Sequence, residues 1–361
     1  MANECLDTIL GLKDVVASAD YRRALDLPSE VVEEYTNFAH GEYNQNFLFT
    51  HPNTSQKFIL RVERGSQMGL ENQIEYEYSA LKLLENSGRT PKVHFCDGSK
   101  KVCEHGVLVE EFLPGVKLDY TNQFHLSEAA LIFADIHSYN FPSDSPLIKA
   151  NNAFVAMLDE CEKMAQAYFT SDVVQPNVKS QIDRLLAEAN LTIARGGIEA
   201  NHMSIVNTEV NNTNFLINEG SHAHHQGSHA CSWANSVPYH QGSHPSYLID
   251  WEKPLIADPA QDIGHFLADT TTFWKTDFFF TKAQKEDFVC EYIEKLAGRI
   301  EDDGLEERCL KFANFTCLRG ITWCAMASVE YAHATKDILD PVTAEKLKAY
   351  LDVSYLKTVS L

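Results

Sequence analysis

The sequence predicts an α+β protein, in which an N-terminal third of strands with one packed helix precedes a mainly helical remainder. Two patterns carry that expectation. Between residues 34 and 112, short runs rich in β-branched and aromatic residues recur between turn signals, over 34–40, 47–50, 58–62, 92–96 and 106–112. From Ser127 onward, apolar residues repeat at helical spacing instead, through 153–168, 178–194, 282–299, 305–327 and 343–356. Leu113-Pro114-Gly115 ends the last strand run and marks the exit from a sheet, so the expected boundary separates 1–113 from 114–361.

Taken in order, the first 30 residues are helical in pattern (Leu6, Ile9, Leu10, Val15, Val16), followed by Leu25 and Leu27. The segment Gly41-Glu42-Tyr43-Asn44-Gln45-Asn46 joins the first two strands. By itself it reads as a polar hairpin turn, because single glycines mark turns generally. Arg61 sits mid-strand in F-I-L-R-V, where a charge either faces water or is aimed into a cleft. A helix expected over 74–86 sets Glu77, Leu81 and Leu84 on one face, so an acid shares the apolar stripe. A buried acid is costly unless paired, and Arg61 is the cation expected to meet it.

Composition narrows the class. A chain of 361 residues with 44% apolar content can bury one large domain or two smaller ones. No apolar run reaches membrane-spanning length. The start M-A-N-E-C-L-D carries acids where a secretory signal carries bases. Nine cysteines without a C-x-x-C pair suit a reducing compartment, so a cytoplasmic protein is expected. The net charge of −21 disfavours nucleic acid and anionic membrane as partners and favours a cationic or neutral small substrate.

The chemistry concentrates between residues 205 and 252. There I-V-N-T-E-V-N-N-T-N leads into F-L-I, and later Y-L-I-D-W-E follows. Glu209 and Asn214 share a loop between two strand-like runs, 203–206 and 215–217, and Asp250 ends the run 247–249. A carboxylate, a carboxamide and a second carboxylate at strand ends can converge on one point. Phosphoryl transfer needs that set, one acid near the acceptor hydroxyl and an Asn and an Asp for magnesium.

This stretch resembles the catalytic segment of the aminoglycoside phosphotransferase and choline kinase superfamily, the small-molecule branch of the protein-kinase-like fold. The superfamily reads H-x-D-x-x-x-x-N, a strand, I-D-W-E, then D-P-x-x-D. The chain has Asn207-Thr208-Glu209 with Asn214, then Ile249-Asp250-Trp251-Glu252, then Asp258-Pro259 with Asp262. Two letters depart, Asn207 standing for the His and Glu209 for the base Asp.

The resemblance implies a bilobal kinase-like fold, with a small lobe of antiparallel sheet plus helix and a large, mainly α-helical lobe. It implies ATP and Mg²⁺, with Asn214 and Asp250 as metal ligands and Glu209 facing the hydroxyl of a small acceptor. Gly41 and Asn44 then belong to a phosphate-covering G-x-x-N-x-x-F loop, and Arg61, paired with Glu77, reaches the nucleotide phosphates. Glu111 and Leu113 offer main-chain groups to the adenine, and Leu216 and Ile249 form its apolar floor. Asn207, Glu252, Asp258 and Asp262 support the site. Within that set, Asp258 is expected to cap a helix starting at Pro259, and Asp262 to hydrogen-bond back to the catalytic loop. His137, in I-H-S-Y-N-F-P, takes a structural role.

The implied reaction transfers the γ-phosphate to an aminoglycoside-, choline- or sugar-like hydroxyl. Asn207 and Glu209 keep a nucleotide-binding pseudokinase as the alternative. A protein kinase is disfavoured, because H-R-D, D-F-G and A-P-E are all absent. A Gly/Ser/His-rich insertion over 219–246 repeats H-Q-G-S-H and carries His222, His224, His225, His229, His240, His244 and Cys231. Its spacing matches no closed zinc pattern, so a polar hairpin extension is expected there.

Overall fold

The computed structural model describes residues 3–41, 43–66, 68–150, 152–220, 245–302, 304–333 and 341–361. In chain order the strands are β1 Tyr35–His40, β2 Asn44–Thr50, β3 Lys57–Glu63, β4 Val93–Asp97, β5 Val107–Glu111, β6 Val116–Lys117, β7 Ser204–Val206, β8 Phe215–Ile217, β9 Tyr247–Leu248 and β10 Leu255–Ala257. The helices are α1 Leu12–Ala17, α2 Ala19–Ala24, α3 Gln73–Leu84, α4 Gln123–His137, α5 Ala153–Phe169, α6 Pro176–Arg195, α7 Ala260–Leu267, α8 Asp269–Lys275, α9 Lys282–Leu296, α10 Leu305–Ala332, α11 Pro341–Tyr350 and α12 Val353–Leu356. The α+β class expected from the sequence is what the chain adopts. Among the described residues, no helix is long and apolar enough to cross a membrane. Most of the His-rich insertion, 221–244, lies outside the described residues, and with it the expected hairpin extension.

The chain forms two compact units, the first of residues 1–118, 139–148 and 213–254, the second of 119–138, 149–212 and 255–361. Residues 213–254 were expected with the C-terminal part. They group with the first unit, where the Leu248 N–H donates to the Arg89 carbonyl and Arg61 meets Asp250 and Glu252.

The first unit is built on an antiparallel sheet in the order β1-β2-β3-β5-β4. Side chains alternate between the faces of a strand, and here the two faces differ in kind. Phe47, Phe49, Phe58, Leu60, Val62, Val107 and Val109 are buried in one core with Leu6, Leu12, Val15, Val16 and Tyr21 of the N-terminal helices. The alternate positions, Asn44, Asn46, Ile59, Arg61, Glu63, Leu108 and Glu110, line the opposite face. Register sets Asn46 across from Arg61, Arg61 across from Leu108, and Ile59 across from Glu110. Strand β2 begins at Asn44, three residues before the expected run, because Asn44–Asn46 pair with Arg61–Glu63. The turn is closed by the Gly41 N–H donating to the Asn44 carbonyl at 2.8 Å. Gly115 lets β6 lie on β8, since a Cβ there would stand 2.9 Å from Leu216.

The second unit is helical apart from the β7–β10 ribbon. The long helix α10 carries its core, with Phe312 stacked on Phe154 of α5 at 3.7 Å between ring centroids. Helix α7 begins at Ala260, with Pro259 in the capping position expected for Asp258. The Asp258 carboxylate still accepts the Ala260 N–H at 3.0 Å. Its other oxygen is drawn to buried Arg308 at 2.6 Å, and Arg308 also holds Asp302.

Close packing of α7 on α10 requires Gly264, where a Cβ would fall 2.3 Å from the Phe312 Cβ and 2.6 Å from the Ala313 nitrogen. Gly264→Ala should therefore destabilise the protein by about 1–3 kcal/mol or more through overpacking. A chemical-denaturation midpoint equal to that of wild type would contradict this packing.

Candidate active site

The charged face of the sheet is organised around one cation. Arg61 is buried, and its Nε lies 3.0 Å from one Glu77 oxygen and 3.1 Å from the other. Glu77 reaches it from α3, whose Ile74, Ala80, Leu81 and Leu84 are buried on the same face. The pair expected between strand and helix is thus present. The Arg61 Nη2 meets Asp250 at 2.9 Å and Glu252 at 3.2 Å. Asn44 donates its amide to the same Glu252 oxygen, and Gln73 donates to the Glu252 main-chain carbonyl.

Glu110 is a member of this cluster that the sequence did not single out. It occupies the Arg61 face one residue before the end of β5, retains some solvent contact, and makes no side-chain hydrogen bond among the described residues. Burial pushes its carboxyl up to about 7, with Arg61 opposing the shift and Asp250 adding to it. Burial likewise holds Glu77 at about 7, against the downward pull of Arg61. The only sequence signal was an acid within the apolar run V-L-V-E-E.

Asn214 and Asp250 come from adjoining strand ends. Phe215 pairs with Leu248, and the Ile249 N–H donates to the Asn214 carbonyl at 2.9 Å. Asp250 has φ 64°, a left-handed conformation that Asp tolerates better than most residues. Its side chain is about one third exposed, while Arg61 and Glu77 are sealed. Leu216, in β8, and Ile249, next to Asp250, are half-buried.

The donor set fits a hard cation. Asp250, Glu252, Glu77 and Glu110 set four carboxyls against one guanidinium, and the Oδ1 atoms of Asn44 and Asn46 are buried without a partner. Among the described residues, no three His, Cys, Asp or Glu side chains gather at one metal position. Magnesium commonly takes only one or two carboxylates, with phosphates and water completing its shell. Gly41 is not demanded by the fold, since a Cβ there would meet nothing closer than 3.6 Å.

In the second unit, the loop of Asn207, Thr208 and Glu209 hangs from Asp262. The fully buried Asp262 carboxylate accepts the Asn207 and Thr208 N–H groups, each at 2.8 Å. Asn207 is itself buried, and its side-chain oxygen accepts the Glu209 N–H at 3.2 Å. Thr208 has φ 72°, which strains a β-branched residue. His137, expected to be structural, is fully buried against Asp262.

Two titratable neighbours of Glu209 were not anticipated. His265 is pushed down to about 4 by burial, partly offset by the negative charge of Glu209, so it is neutral near pH 7. Arg319, which feels the same charge, is held by Glu160 through two contacts of 2.7 and 3.0 Å. Both lie far from Glu209 in sequence, on α7 and α10, where no local pattern marks them.

A carboxyl raised to about 7 in the folded chain and about 4.5 unfolded favours folding only while protonated. Its contribution is full below about pH 4.5 and is lost as pH rises through about 7. Glu110→Gln should therefore gain stability over wild type progressively between about pH 5 and pH 8. Paired thermal melts without nucleotide or divalent metal check this, and a pH-independent difference would contradict it.

Comparison with known proteins adds the family context. Residues 34–191 match the model of the phosphotransferase enzyme family, a segment that ends before the 207–214 loop. None of the curated proteins compared matches the chain by sequence. A putative aminoglycoside phosphotransferase from Ralstonia eutropha JMP134 has a TM-score of 0.64 at 15% identity, covering 97% of this chain and 98% of that one. Plasmodium vivax ethanolamine kinase follows with 0.58 at 14% identity, covering 94% and 88%. A spectinomycin phosphotransferase solved with ADP and spectinomycin gives 0.54 at 11% identity, covering 90% and 88%. The chain has the protein-kinase-like fold of the aminoglycoside phosphotransferase and choline kinase superfamily, and its residues 34–191 match the phosphotransferase enzyme family.

Proposed function

We propose that the chain transfers the γ-phosphate of ATP to a hydroxyl group of a small molecule. The observation that carries this reading is the sealed Arg61–Glu77 pair, whose guanidinium also meets Asp250, at the strand ends that carry Asn214. A relative of the same fold solved with ADP supports a nucleotide as donor. In this reading residues 1–113 supply most nucleotide contacts, and 114–361 the metal ligands, the base and the acceptor surface.

Each residue then has a defined task. Arg61 serves the nucleotide phosphates, relinquishing Asp250 while Glu77 keeps it in place. The Gly41–Asn44 turn covers the phosphates, where an open position at Gly41 allows close backbone approach. Main-chain groups of Glu111 and Leu113 bind the adenine over Leu216 and Ile249. Asn214 and Asp250 would hold magnesium, which when bound neutralises phosphate charge. Glu209 takes the acceptor's proton as the new O–P bond forms and the bond to the ADP oxygen breaks. Asn207, Glu252, Asp258 and Asp262 hold these groups in place. The acidic surplus of the chain favours a cationic or neutral acceptor.

Glu209 is one methylene longer than the Asp of its relatives, a reach of about 1.5 Å, against the ~0.5 Å tolerance of a preorganised site. Asn207 is smaller than the His of the motif and fastens the Glu209 N–H, which favours a loop backbone set back to accommodate the longer side chain.

Two variants test this assignment. Mg-ATP should raise the melting temperature of wild type but not of Asp250→Ala, since the triphosphate loses its main counterweight. Equal shifts in both proteins would overturn the metal assignment. Glu209→Gln should lower kcat by at least ~10²-fold with nucleotide affinity nearly unchanged. A kcat within about threefold of wild type would remove Glu209 as the base, because general-base help is typically far larger.

A further inference from the structure

We propose that Tyr292 is a positioning residue for the loop that carries Glu209, acting through His137 and Asp262; the catalytic part of this inference rests on the role given to Glu209 above. Three elements meet at one buried carboxylate, and a fourth reaches it through an imidazole. The Oδ1 of Asp262 accepts the Thr208 N–H, and its Oδ2 accepts the Asn207 N–H and faces the His137 Nε2 at 3.3 Å. On the other side of the ring, the His137 Nδ1 lies 2.8 Å from the Tyr292 hydroxyl. Asp262, His137 and Tyr292 are all fully buried, so none of these groups can exchange its partner for water.

Donor and acceptor chemistry fixes the direction of the chain. An ionised carboxylate only accepts, so the His137 nitrogen facing it must carry a proton. In the neutral ring Nδ1 is then an acceptor, and the Tyr292 hydroxyl is its donor. The opposite tautomer would press a lone pair against Asp262. The Tyr292 hydroxyl, on α9, thereby selects the tautomer that gives Asp262 its third donor. A carboxylate held by three donors keeps the loop amides in place, including that of Thr208, whose left-handed φ of 72° would otherwise relax. Relaxation there would move the adjacent Glu209 carboxylate.

The ring contacts make the test clean. His137 stacks on Phe133 at 5.5 Å and meets the Tyr292 ring edge-on at 5.7 Å. Tyr292→Phe keeps that ring and deletes only the donor, so packing is preserved while the tautomer is released. A purely structural Tyr292 would show no selective effect on the loop.

The experiment uses the full chain and two readouts. Amide exchange across 205–210 should accelerate by about tenfold or more in Tyr292→Phe, with exchange in α5 unchanged. With a phosphorylated acceptor in hand, kcat should fall by about tenfold while the KM for ATP stays constant. Unchanged exchange across the loop would overturn the proposal whether or not any acceptor is found. Absence of transfer by wild type would instead count against the role of Glu209. If Tyr292→Phe does not fold, nitrogen-15 shifts of His137 in wild type decide. A neutral ring protonated at Nε2 supports the relay, and the Nδ1–H tautomer or an imidazolium overturns it.

Discussion

A guanidinium sealed among carboxylates cannot be solvated, so its partners must be in place before the chain is stable, and Arg61 imposes that condition on the first unit. Removing one side of such a pair strands the other and costs about 3–5 kcal/mol. The rotation of α3, with Glu77 on its inward face, satisfies part of the demand. The β8–β9 ladder satisfies another part by delivering Asp250 and Glu252. The sheet therefore has two unlike faces, an apolar one closed by the N-terminal helices and a charged one gathered around Arg61. Burial holds the Glu77 and Glu110 carboxyls up at about 7, with Arg61 opposing the shift and the neighbouring acids adding to it.

The second unit meets the opposite demand. There a single buried acid, Asp262, is saturated by donors, two from the loop backbone and one from His137. Such saturation gives rigidity through hydrogen bonds and not through a counter-charge, and it is where the fold holds a strained Thr208. Asp258 is fastened independently by Arg308, so the entry to α7 stays fixed while the loop is held. Asn207 and Glu209, the two departures from the motif that the sequence resembles, thus sit on a well-supported frame.

Much of this was legible in the sequence, for reasons that are local. Arg61 announced itself as a charge in an apolar strand, Glu77 as an acid at helical spacing with Leu81 and Leu84. The D-P-A-Q-D segment showed an acid one turn into a helix, and Asp262 does reach back to the loop. What stayed hidden depends on pairing between distant segments. Nothing near Glu110 shows that its strand face is shared with Arg61, because that follows from β3–β5 register. Tyr292 lies 155 positions from His137, and Arg308 lies 50 from Asp258. The start of β2 was missed because Asn44–Asn46 are poor strand formers, held there by cross-strand pairing rather than propensity. Asp258 accepts the Ala260 N–H at the head of α7, and Arg308, which a local pattern does not see, takes its other oxygen.

The account stands on the transfer of a phosphoryl group to carbon-bound oxygen. Its most direct measurement is mass spectrometry of reactions with ATP labelled with oxygen-18 in the γ-phosphate, run across amino alcohols, sugars and aminoglycosides. The predicted result is one acceptor carrying the labelled phosphoryl group on a hydroxyl, with ADP formed in equal amount and only in the presence of magnesium. Saturable binding of Mg-ATP with no labelled product and no ADP from any acceptor would contradict the account and leave a nucleotide-binding scaffold in its place.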